Sequence, residues 1–285
     1  MLKRSISFAL CCAFAFASDP ITVDSLFKPQ YGIRSITTLS LLTTGNANSY
    51  RLYPELTIEG DQTVWNDTKQ VSLNQTLMAS ILPSLDIIGS VGGSFAQKEY
   101  THYANSAYIS DNDWKFDSFW LGFVYSAPSI AGFIPQITAQ TAIIQTEKVN
   151  EESKTFYFKS QSLQAALRSY SDPVVYSVYL GASLNQKRKF DNVGSLKYGD
   201  GFYGGVNLSI ILSPKITLDM GAEHRFQTPQ RLNGTKNSHL YSIPTLSVGT
   251  TYSINADTSI SFSASAGGSS SAPDSIVSFS LWKKF

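Results

Sequence analysis

Past residue 17 the sequence has no apolar run approaching the roughly twenty residues that a helix needs to cross a bilayer. A helical membrane protein is excluded on that ground. Cysteine is nearly absent: Cys11 and Cys12 are the only two, and both lie in an N-terminal segment expected to be removed. The mature chain would then have no disulfide, no thiol nucleophile and no Cys-ligated metal. Charge is scarce too. Only 15% of residues are charged, against roughly a quarter in ordinary soluble domains. With 22 basic and 21 acidic residues the net charge is +1, which gives no electrostatic case for nucleic acid. Histidine occurs three times, at His102, His224 and His239, without the paired spacing of a metal site. No G-x-S-x-G stands beside them and no phosphate loop appears. A hydrolase needs a His with a Ser or an acid pair, so an enzyme is not expected, and neither is a cofactor.

The N-terminus has the parts of a secretion signal. Lys3 and Arg4 form a basic start, Ile6 to Phe16 is a short apolar stretch, and Ala15-Phe16-Ala17 is a small-x-small cleavage pattern before Ser18. A lipoprotein reading would acylate one cysteine, but Cys11 is a poor residue to precede a lipidated Cys12.

The dominant period in the rest is two. Leu246, Val248, Tyr252 and Ile254 alternate with Thr245, Ser247, Gly249, Thr251 and Ser253. Ile260, Phe262, Ala264 and Ala266 alternate with Ser259, Ser261, Ser263 and Ser265, and Val174 to Asn185 and Ile216 to Gln227 follow the same rule. Alternation puts apolar side chains on one sheet face and polar ones on the other. A soluble sandwich would fill its polar face with Lys and Glu; here it is Ser, Thr, Asn, Gln and Gly, which suit a narrow hydrated interior with lipid outside. Short turns at Leu82-Pro83-Ser84, Asp172-Pro173, Ser213-Pro214-Lys215 and Asn255-Ala256-Asp257 alternate with polar loops at 104–112, 149–153, 191–200, 228–237 and 268–274. A longer turn spans 127–133.

These signals predict an all-β, antiparallel transmembrane β-barrel of about twelve strands. They fall near 48–60, 67–81, 85–103, 113–126, 134–148, 154–171, 174–189, 201–213, 215–228, 240–254, 257–268 and 275–285. The expected organisation is a signal peptide over 1–17, an N-terminal segment over 18–47 and the barrel over 48–285. Residues 31–45 do not fit the count and read as a plug or an extension of the first strand, with fourteen strands as the alternative. Parity slips inside 154–171, where Phe156 and Phe158 disagree with Leu163, Ala165 and Leu167; a β-bulge near Ser160 would reconcile them.

The last residues, Ser275 to Phe285, place Val277, Phe279, Leu281 and Phe285 on one parity. This resembles the C-terminal assembly signal of outer-membrane barrels, from which Lys283 departs, since an aromatic is usual there. The C-terminal two-thirds further resembles the meta-pathway phenol-degradation family of outer-membrane proteins, relatives of FadL-type transporters. The stretches are Ser171-Asp172-Pro173-Val174-Val175, Gly199-Asp200-Gly201, Leu212-Ser213-Pro214 and Gly267 to Phe285 with Ala272-Pro273-Asp274. The resemblance implies a monomeric barrel of the bacterial outer membrane, placed there by the assembly machinery, that passes small hydrophobic or aromatic solutes.

Charges on the inward parity are Arg51, Glu55, Glu59, Asp86, Lys98, Lys187, Asp219, Glu223 and Arg225. They line a pore, or they form a solid interior of ion pairs, since unpaired buried charge is costly. Glu223, Arg225 and Asp219 on one strand are the leading cluster. Of the aromatics, Trp120 is the lumen candidate, while Trp114 reads as part of an interfacial girdle. The function expected is a passive channel in which loops admit solute and the lumen or a lateral gap passes it inward. The alternative is a non-conducting structural barrel whose loops bind a partner.

Overall fold

The computed structural model describes residues 32–44, 63–102, 107–149, 152–267 and 275–285. Its strands are β1 (Ile33–Thr44), β2 (Thr63–Leu82), β3 (Leu85–His102), β4 (Ala107–Ser126), β5 (Phe133–Val149), β6 (Glu152–Phe156), β7 (Ser160–Ser171), β8 (Val174–Asn185), β9 (Arg188–Phe190), β10 (Gly194–Lys197), β11 (Gly201–Ser213), β12 (Ile216–Gln227), β13 (Arg231–Leu232), β14 (Thr235–Lys236), β15 (Tyr241–Asn255), β16 (Thr258–Gly267) and β17 (Ser275–Lys284). Twelve of them, β1–β5, β7, β8, β11, β12 and β15–β17, form an antiparallel meander that closes where β17 pairs with β1. Closure removes the unpaired edges that an open sheet would present. Among the described residues no helix is long and apolar enough to cross a membrane, and the wall is built of strands.

The wall has the two solvents that alternation requires. Leu246, Val248 and Phe262 stand 69%, 52% and 50% exposed on the outside. Their neighbours Ser247, Ser261 and Ser263 point inward. Outward Leu73, Leu121, Phe123, Leu163, Leu180 and Leu208 continue the belt around the barrel. Such a large exposed apolar band is stable against hydrocarbon and not against water. Inside, hydroxyls bridge neighbouring strands: Ser40 with Ser278 at 2.8 Å, Thr38 with Ser280 at 2.9 Å and Thr76 with Ser90 at 2.5 Å. These inward hydroxyls find their partners on the next strand instead of needing bulk water.

Three departures from the sequence reading have identifiable causes. First, the barrel begins at Ile33 and not at residue 48. Strand β1 pairs with β17 from Arg34 to Thr43 and with β2 from Ile33 to Thr44. It was hard to recognise because its outward side carries Ser35 and Thr37, and Ile36 and Leu42 turn inward. Gln75 on β2 keeps that outward polar spot satisfied, accepting from Thr37 Oγ1 at 2.6 Å and donating to Ser35 Oγ at 2.7 Å. The expected strand 48–60 lies outside the described residues.

Second, Asp117 is an extra residue in β4. Gly92 opposes Ser118 and Gly93 opposes Phe116, so the parity of β4 flips there. Trp114 and Phe116 therefore face outward with Phe119, Leu121 and Phe123, although simple counting separates the two groups. Trp114 is 75% exposed and its ring lies 6.0 Å from Phe95. The parity slip expected near Ser160 is a bulge as well. Residues 157–160 oppose 142–144, and Phe158 takes φ 56° there.

Third, the polar stretches 191–200 and 228–237 are more than loops. Strands β9, β10, β13 and β14 form a second, four-stranded sheet at the long-loop rim. Phe156, Phe190, Leu196 and Tyr198 pack beneath it as a small apolar core, with the Phe156 and Phe190 rings 5.1 Å apart. This sheet is a cap on the barrel mouth.

Candidate lumen site under an extracellular cap

Beneath the cap lies a cavity of about 400 Å³, lined from both walls by Trp120, Arg225, Arg188, Tyr198, Tyr203 and Lys115 among Ser, Asn and Gln side chains. A second cavity of about 210 Å³ continues past Tyr179, Glu223 and Arg225 toward Ser247 and Ser265. Arg225 belongs to both.

The arginine is held by a compact arrangement on β8, β11 and β12. Its Nη2 donates to Glu223 Oε1 at 3.2 Å, and its guanidinium lies 5.0 Å from the centroid of the Tyr203 ring. Tyr179 Oη donates to the other Glu223 oxygen at 2.9 Å. The two tyrosine rings need glycines. Register sets Tyr203 opposite Gly181 and Tyr179 opposite Gly205. A Cβ on either glycine would come within 2.3 Å or 2.4 Å of the facing ring. The absent side chain lets each ring lie flat on the neighbouring strand, a glycine-and-aromatic pairing found in barrels. Sequence reading named Glu223 and Arg225 but missed Tyr179 and Tyr203. Their signal was available, since each stands two positions before a glycine on the inward parity, Tyr179 before Gly181 and Tyr203 before Gly205.

The third member of the expected cluster stands apart. Asp219 accepts from Ser209 Oγ at 2.5 Å and Thr251 Oγ1 at 2.9 Å on the flanking strands. Its role there is to tie three strands together. Trp120 does face the cavity, its Nε1 donating to Ser118 Oγ at 3.0 Å. Arg51, Glu55 and Glu59 lie outside the described residues. Asp86 turns inward at the short-turn rim, where Arg34 Nη2 reaches it at 2.5 Å and Ser80 Oγ at 2.6 Å. Lys187, expected in the lumen, is exposed on the cap, because the barrel strand β8 ends at Asn185.

The mouth is governed by Arg188, which nothing in the sequence singled out. Its guanidinium is fully buried. Nε donates to Glu147 Oε1 at 2.6 Å, Nη1 to the Gln186 carbonyl at 2.8 Å, and Nη2 to Ser160 Oγ at 2.8 Å and Gln145 Oε1 at 3.3 Å. The Tyr198 ring covers it at 4.6 Å. One side chain thus joins the cap to β5 and β7. A buried charge survives when each of its nitrogens finds an acceptor in this way. Nearby, Asp117 accepts from Ser94 Oγ at 2.9 Å and stands 3.8 Å from Lys115 Nζ.

Among the described residues no group of three or more His, Cys, Asp or Glu could hold a metal. His224 sits on the outer surface, stacked on Phe226 and 2.8 Å from Ser242 Oγ.

No family model matches the chain, and no curated protein matches it. Solved structures do. An outer membrane channel from Pseudomonas putida F1 superposes with a TM-score of 0.62 at 11% identity, covering 90% of this chain and 96% of that one. The transport unit of the autotransporter AIDA-I from Escherichia coli gives 0.55 at 11% identity over 91% and 92%. The translocator domain of the autotransporter NalP from Neisseria meningitidis gives 0.52 at 14% identity over 92% and 91%. At these identities the shared property is the fold, and that fold is the transmembrane β-barrel of outer-membrane proteins.

Proposed function

We propose that this barrel is a passive channel of a bacterial outer membrane for small solutes that join a hydrophobic or aromatic part to polar groups. One observation carries the reading: the waist cavity offers Trp120, Tyr203 and the half-open Arg225 together, in a lining otherwise made of small hydroxyls and amides. A flat aromatic solute can stack on the rings and the arginine. Its hydroxyl or carboxylate finds donors in the same wall. The resemblance to the phenol-degradation family points to the same class of solute, and the fold shared with a channel agrees with it. The chain works as a monomer in this reading. Its outward Phe279, Leu281 and Phe285 serve recognition by the assembly machinery.

The buried Arg188 latch favours a second reading, in which the cap keeps the barrel shut and the loops bind a partner. Single-channel recording in planar bilayers separates the two. A channel gives discrete current steps that phenol at millimolar concentration blocks, and Trp120→Ala weakens the block about tenfold, the size expected for one lost aromatic contact of ~1–1.5 kcal/mol. If neither the wild type nor a variant with the cap released carries current or solute flux, the barrel is non-conducting.

A further inference from the structure

The cap sheet has two faces of opposite character. Arg188, Phe190, Leu196 and Leu232 lie on the side toward the lumen; register sets Leu196 opposite both Arg188 and Leu232. The alternate positions point away. There Lys197 opposes Arg231, Arg231 opposes Lys236, and Lys189 stands one strand further along, opposite Ser195. Three cations directly across from one another on three strands weaken a sheet. Folding therefore gives no reason for this arrangement. An open cleft of about 670 Å³ at the edge of the cap is lined by Lys154, Lys159, Lys187 and Lys189, with Phe156 and Arg188 reaching it from the buried side.

An excess of positive charge collects here. Residues 152–160, 186–200 and 228–240 hold eight Lys and Arg but three Asp and Glu, in a chain whose totals are 22 and 21. The three acids are engaged. Asp191 pairs with Lys154 at 3.1 Å, Asp200 with Lys197 at 2.9 Å, and Glu152 accepts from the backbone of Asp191 and Asn192. Among the described residues Lys159, Lys187, Lys189, Arg231 and Lys236 have no acidic partner.

The wall below this face identifies the anion. Each cationic segment adjoins an outward apolar side chain of the barrel: Leu184 precedes Lys187, Phe202 follows Lys197, Phe226 precedes Arg231, and Tyr157 and Phe158 precede Lys159. All five are exposed. A soluble anion needs only the lysines. A lipid needs both parts, an apolar surface for its chains and cations for its headgroup.

We propose that the outer face of the cap binds the phosphorylated headgroup of a lipid in the surrounding leaflet, with the acyl chains lying on the belt beneath. The proposal rests on the outer wall facing lipid and does not depend on conduction, so a silent bilayer recording leaves it standing.

The test uses the folded full-length protein in a neutral detergent, with bound molecules counted by native mass spectrometry. The probes are diphosphorylated lipid A, the same glycolipid with its phosphates removed, and inositol hexakisphosphate as a soluble polyanion. The phosphorylated lipid should bind at least tenfold more tightly than either of the others. Combining Lys187→Gln, Lys189→Gln and Arg231→Gln should remove that advantage, while Lys215→Gln with Lys283→Gln at the opposite rim should keep it. Equal binding of the phosphate-free lipid overturns the proposal, as does equal binding of inositol hexakisphosphate, or an unaffected triple variant. Should the triple variant fail to show the heat-dependent gel shift of a folded barrel, the wild-type comparison of phosphorylated with phosphate-free lipid decides alone.

Discussion

Two arginines on the lumen side behave as different kinds of residue. Arg188, at the mouth, is 1% exposed and spends its guanidinium on four oxygen acceptors and one ring. Arg225, at the waist, is 29% exposed, pairs with Glu223, lies over the Tyr203 ring and borders two cavities. The difference lies in how much of the charge reaches open space. An enclosed arginine can only hold structure together. One that stays part-exposed between two cavities can be reached by a passing solute.

The largest expected effect is at the mouth. Arg188→Ala strips the enclosed Glu147 carboxyl of its ion-pair partner, with Oε2 already lacking a hydrogen-bond partner. Breaking a buried pair by removing one member costs about 3–5 kcal/mol. The barrel ladder does not pass through Arg188, so the cost should fall on cap docking. Amide exchange over residues 188–198 should accelerate at least a hundredfold, and open-channel current should rise. Unchanged exchange would mean that Phe156, Phe190, Leu196 and Tyr198 alone hold the cap, and the contrast between the two arginines would be lost.

Arg188→Lys sharpens the same contrast. A lysine keeps a charge for Glu147, but one ammonium cannot serve Gln145, Ser160 and the Gln186 carbonyl in the planar fork that Arg188 uses. Losing one or two hydrogen bonds costs about 1–3 kcal/mol. Exchange of the cap should fall between wild type and Arg188→Ala. A lysine variant as protected as wild type would show that charge alone, and not the geometry of the fork, makes the latch.

The same distinction explains what could be read from the sequence. The wall was legible because alternation is a local property: β11 was expected at 201–213 and runs Gly201–Ser213, and β3, β12, β15 and β16 end within a residue or two of their expected limits. Bulges break local counting: Trp114 and Trp120 stand six positions apart, yet the extra residue Asp117 puts them on opposite faces of β4. Strand β1 escaped because its outward Ser35 and Thr37 are matched by Gln75, a residue 38 positions away from Thr37. The cap escaped for the same reason. Arg188 draws its acceptors from residues as far as 43 positions away, and no spacing in Gln186-Lys187-Arg188-Lys189 announces them. Glu223 and Arg225 were found because both sit on one strand at a spacing of two.

The smallest effect on stability belongs to Arg225, and it carries the most functional content. The Arg225–Glu223 pair is partly open to lumen water, where such pairs contribute about 0–1 kcal/mol. Arg225→Gln should therefore shift the denaturation midpoint little. It should instead change which ions pass. With the guanidinium gone, Glu223 keeps only the Tyr179 hydroxyl, and the waist shared by both cavities turns net negative. In a tenfold potassium chloride gradient the reversal potential should move toward the value for cations, and Glu223→Gln should move it the opposite way. If Arg225→Gln instead lowers stability as much as Arg188→Ala, or leaves the reversal potential fixed, then Arg225 is a second structural clamp and the waist has no free charge to present to a solute.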